Sequence, residues 1–156
     1  MTGAIEGTTG RSLVPEKLFT RLCARVERDG HHPPVRASRI VDQALAFLAT
    51  CGRNLGEPLA PSAIVDEGWH AFLLHTREYA EFCRMVAGRF IHHRPGDGIR
   101  RAEIDIKRSV RAMRAAGFAV DIPLWLPTEV SAAHQSAPAP AAAHRRPGVG
   151  RSTTAG

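Results

Sequence analysis

The sequence predicts an all-α fold: a single compact bundle of about five helices over residues 13–128, with disordered termini at 1–12 and 129–156. Three observations carry this expectation. Apolar residues recur at helical spacing in five successive stretches. No two stretches alternate apolar and polar residues as paired strands would. Clusters of Gly and Pro separate the stretches. A chain of 156 residues with 44% hydrophobic content has room for one core and no need of a second.

Residues 1–12 are rich in Gly and Thr, so they read as a disordered N-terminus. Pro15 opens the first helix, because the N–H that proline lacks has no partner in a first turn. Leu18, Phe19, Leu22, Cys23 and Val26 form its apolar face, and Asp29 and Gly30 end it. The stretch from His31 to Ala37 reads as a loop in which Pro33 and Pro34 bar helix and His31 and His32 face solvent. Ser38 then caps the second helix. Its apolar residues, Ile40 to Cys51, cover more than one face, which places it centrally. Pro61 starts the third helix, where Val65, Trp69, Phe72 and Leu73 share an arc. Thr76 caps the fourth, whose apolar side runs through Tyr79, Phe82, Cys83 and Val86 to Phe90. The fifth runs from about Ile99 to Ala116, with Ile106, Val110 and Met113 facing the core. Residues 118–127 read as extended or irregular, with Leu124 and Trp125 packing back onto the bundle. The Ala/Pro/Arg tail at 129–156 has no apolar periodicity and reads as disordered.

Composition narrows function. No run of apolar residues approaches membrane length, so no membrane association is expected. The N-terminus lacks a basic segment followed by an apolar one, so no secretory leader is expected. Cys23, Cys51 and Cys83 are few and far apart, which fits reduced thiols in a cytoplasmic protein. Residues 130–156 carry Arg145, Arg146 and Arg151 and no acid, so half of the net charge of +6 sits there. The rest is weak evidence for nucleic acid. A helix face carrying Arg100, Lys107, Arg111 and Arg114 would be the phosphate-contacting surface in that reading.

Chemically capable residues concentrate between 62 and 93, which hold four of the eight histidines. Asp66 and His70 lie one helical turn apart. Such a pair can fix an imidazole tautomer or supply two ligands to a metal. The plainer reading is a half-buried histidine whose ring is satisfied by its neighbour. If the chain reverses near His75, Cys83 reaches the level of His70 and completes a candidate set of Asp66, His70 and Cys83 for zinc or iron. A rise of about 1.5 Å per residue along a continuing helix carries His92 roughly 25 Å from that reversal. On that reasoning His92 and His93 cluster with His70 in sequence but not in space. No H-E-x-x-H, C-x-x-C, P-loop or G-x-G-x-x-G is present, and no catalytic constellation is complete.

The run Asp66-Glu67-Gly68-Trp69-His70, followed by Tyr79 and Cys83, resembles the glycine-rich domain-containing protein-like family. Ile91-His92-His93 and Pro123-Leu124-Trp125 are similar to its later elements. The resemblance implies a helical domain more than a reaction. Family members often carry a second histidine where this chain has Phe72, and the Gly-rich segment is absent. The leading expectation is therefore a small cytoplasmic interaction module with a protein partner, no cofactor and no enzymatic activity. Metal binding by Asp66, His70 and Cys83 is the second expectation, and nucleic-acid binding the third.

Overall fold

The computed structural model describes residues 7–94 and 103–126, and these form an all-α bundle. A 3-10 turn at Gly10–Leu13 precedes α1 (Glu16–Gly30), α2 (Pro34–Arg53), α3 (Ala63–Leu73), α4 (Thr76–Ala87), α5 (Glu103–Ala115) and the single turn α6 (Ile122–Trp125). Helix α2 is the axis. Between Ile40 and Thr50 only Asp42 escapes full burial, as expected for a helix apolar on nearly every side. The other helices wrap it with one face each. Leu22 and Val26 of α1, Val65 and Phe72 of α3, Tyr79 and Phe82 of α4, and Val110 and Met113 of α5 all face inward. Helices α2 and α3 approach closely at Gly68, where a Cβ would stand 2.7 Å from Ala44 Cβ.

Several local expectations change. Helix α2 starts at Pro34, four residues before Ser38, because proline is compatible with a first helical turn. Ser38 lies inside the helix, with its hydroxyl donating to Val35 O at 2.9 Å. Cap duty on α3 falls to Ser62, whose Oγ accepts from Val65 N at 3.2 Å. Order begins earlier than expected near the N-terminus. Thr8 N donates to Gly117 O at 2.9 Å, and Arg11 N donates to Asp42 Oδ1 at 2.8 Å. Residues 118–126 are tied down by Gln43. Its Oε1 accepts from Trp125 Nε1 and from Asp121 N, and its Nε2 donates to Ala119 O. The Leu124–Trp125 segment is consequently a buried helical turn, not an extended strand.

The consequential change is the end of α4. It stops at Ala87, with Gly88 in the left-handed region at φ 65°. Glycine takes that conformation without the steric cost other residues meet. Phe90 is therefore off the helix and exposed, and Ile91 turns back into the core. Residues 127–156, Arg100 and the start of the fifth predicted helix lie outside the described residues.

Candidate metal centre

Asp66 and His70 sit on α3 one turn apart, with Asp66 Oδ2 and His70 Nε2 at 3.5 Å. The third member is His93. Its Nε2 lies 2.8 Å from Asp66 Oδ1, and its ring meets that of His70 edge-on at 4.4 Å between centroids. The donor atoms of Asp66, His70 and His93 all lie within 4.8 Å of one another. This overturns the expectation that His93 stays remote from His70, while His92 stays outside the group as expected. The rise of a continuing helix does not apply beyond Gly88, where the chain reverses and carries His93 back along α3.

The core dictates where His93 goes. Trp69 Nε1 donates to the Tyr79 hydroxyl at 2.9 Å, and that hydroxyl donates to Ile91 O at 2.5 Å. A buried indole N–H, phenol and carbonyl thus satisfy one another. The network fixes the returning segment two residues before His93. The Trp69 ring then packs edge-on against the His93 ring at 4.5 Å. Asp66 and His93 are mostly buried, with side-chain exposures of 16% and 8%, whereas His70 is 60% exposed. The cluster is rooted in the protein on two sides and open on the third.

Cys83 is not in this group. It is fully buried on α4. His92 is exposed beside Phe90. His32 differs from its expected solvent-facing role: its side chain is 13% exposed, and Nε2 lies 2.5 Å from Glu67 Oε2. The preceding His31 adopts φ 53°, a left-handed conformation that costs a non-glycine residue about 1–2 kcal/mol. That turn brings His32 against Glu67, a residue that lines a cleft of about 630 Å³ between α1 and α3. Asp66, Glu67 and His70 line it from α3, and Arg25, Val26 and Asp29 from α1.

The donor set suits a metal. Zinc bonds to His nitrogen and carboxylate oxygen at about 2.0–2.2 Å, which places tetrahedral ligands roughly 3.3 Å apart. The 2.8 and 3.5 Å separations from Asp66 straddle that value, and the two histidines lie within 4.8 Å of each other. Two histidines and one carboxylate with an open position match both catalytic zinc sites and non-haem ferrous sites.

A family model described as UCP032817-like matches residues 15–117. The chain belongs to the UCP032817-like family. The matched span includes Asp66, His70 and His93 together with the whole of α1 to α4. No curated protein and no solved structure matches the chain. The family reached is UCP032817-like, and no match supports the glycine-rich family name expected from the motifs.

Proposed function

We propose that this UCP032817-like chain is a metal-binding helical domain, with Asp66, His70 and His93 as ligands to one zinc or ferrous ion. The convergence of the three donor atoms carries this reading. It revises the ligand set from Cys83 to His93 and places metal binding above the interaction module favoured by sequence. A protein partner and a cytoplasmic setting remain compatible with it, the latter supported by the free thiols Cys23, Cys51 and Cys83. Among the described residues no helix is long and apolar enough to cross a membrane. Nucleic-acid binding ranks third. Arg111 and Arg114 are exposed, but Lys107 is engaged with Glu103 at 2.7 Å. The resemblance of Asp66, Trp69, His70, Tyr79 and Cys83 to the glycine-rich domain-containing protein-like family supports a helical scaffold here, not a reaction.

Equilibrium dialysis tests the reading. The parent should take up one equivalent of zinc and melt at higher temperature, because an ion bound only by the folded state stabilises it by mass action. His93→Gln should lose that uptake, and Cys83→Ser should keep it. A cobalt-substituted parent should show ligand-field bands without a thiolate charge-transfer band. Absence of uptake by the parent, or undiminished uptake by His93→Gln, would overturn the assignment.

A further inference from the structure

We infer that the cleft between α1 and α3 binds a small monocarboxylate with an apolar body, its carboxylate held by Arg25 and its chain lying against Val26, Ala71 and Leu74. The inference builds on the metal reading, because the bound ion would offset Asp66 and leave the cleft able to accept an anion.

The charges in the cleft are Arg25, Asp29, Asp66 and Glu67, with His70 at the metal pole. Glu67 is already paired with His32. Arg25 is under-used. Its nearest carboxylate, Asp29, is 3.6 Å from Nη1, a weak contact on an exposed surface. Its Nε is buried and has no hydrogen-bond partner. Guanidinium carries five donors in a fork that matches a carboxylate. A small swing of Arg25 into the cleft would exchange a long ion pair and a stranded Nε for two short charge-assisted bonds.

The walls set the rest of the ligand. Val26 and Ala71 are buried at the cleft lining, and Leu73 is half-buried beside them. Leu74, at the cleft rim, is 62% exposed. An apolar chain seated there would cover the leucine and remove apolar surface from water. Among the described residues that line the cleft, Arg25 is the side chain with a permanent positive charge, and it calls for one negative charge. A dianion would leave its second charge facing Asp29 and Glu67. An ammonium would leave Arg25 unserved and meet it as a like charge.

Calorimetric titration of the zinc-loaded protein with hexanoate, acetate, hexylammonium and inorganic phosphate tests this. Hexanoate should bind best and acetate more weakly. Arg25→Gln should weaken hexanoate by at least about tenfold, the effect of losing a charge-assisted fork, while zinc stoichiometry stays that of the parent. Arg25→Lys, which keeps the charge without the fork, should fall between. Hexanoate should also tighten zinc binding by the factor by which zinc tightens hexanoate. Undiminished hexanoate binding by Arg25→Gln, or equal binding of hexylammonium or phosphate, would overturn the inference. Zinc content separates the two readings. A parent that takes no metal yet binds hexanoate through Arg25 would sustain the carboxylate site alone. A zinc-loaded parent that ignores hexanoate would sustain the metal alone.

Discussion

The Tyr79 hydroxyl accepts from Trp69 Nε1 and donates to Ile91 O, so it joins the buried core to the segment that carries His93. Phenylalanine would fill the same space and leave a buried indole N–H and a buried carbonyl without partners. Each stranded group costs about 1–3 kcal/mol. Tyr79→Phe should therefore lose roughly 2–6 kcal/mol in urea denaturation and should also weaken zinc binding, since residues 91–93 lose their tether. A variant with parental stability and parental zinc affinity would show that the segment is held by other means. Burial pushes the Tyr79 phenol up from its ordinary value, which keeps the hydroxyl protonated and able to donate.

At the scale of elements, the site depends on how close α3 lies to α2. A Cβ at Gly68 would stand 2.7 Å from Ala44 Cβ and 3.1 Å from Ile40 O. The methyl of alanine has no flexible neighbour to displace. Gly68→Ala should push α3 outward and cost about 1–3 kcal/mol, the usual range for an overfilled core. That the cost is steric and not a matter of helix propensity can be checked with Ala44→Gly in the same chain. The double variant should recover part of the stability lost by Gly68→Ala. No recovery would place the strain elsewhere. Helix α4 contributes differently. Its short length and left-handed Gly88 turn the chain back toward α3, and without that turn His93 would not meet Asp66.

Across the whole molecule, burial of thiols sets an alkaline limit on stability. Burial pushes the Cys23 thiol up to about 11 and the Cys51 thiol up to about 12, from an ordinary value of 9.0. Unfolded thiols ionise near that ordinary value, whereas folded ones keep their protons. Unfolding therefore releases protons above about pH 9, and the folded state loses stability as pH rises from there toward about 11–12. Below that window these groups add no pH dependence. Denaturation midpoints should be level near pH 8 and fall above about pH 9, with a smaller fall in Cys51→Ala. A midpoint that stays level to about pH 11 would contradict the burial of these thiols. Iodoacetamide should likewise label Cys23 and Cys51 slowly in the folded protein, because the thiolate is the reacting form.

Helical periodicity was enough to place the core. Leu18, Phe19, Leu22 and Val26, like Val65, Trp69 and Phe72, face inward as their spacing dictates, because a 3.6-residue repeat leaves one buried stripe per helix. Asp66 and His70 were legible for the same reason: ligands four apart on one helix are neighbours in any fold. His93 was not. Its place depends on a single glycine ending α4 and on a hydrogen-bond network joining Trp69, Tyr79 and Ile91, residues that span 22 positions between α3 and the returning segment. Gly88 and Tyr79 are ordinary letters in the sequence. The cleft is equally a tertiary product, since Arg25 and Leu74 meet only when α1 packs on α3. Local spacing determined which faces are buried. Only the packed chain determined which polar groups those faces bring together, because a return after a helix end has no periodicity to announce it.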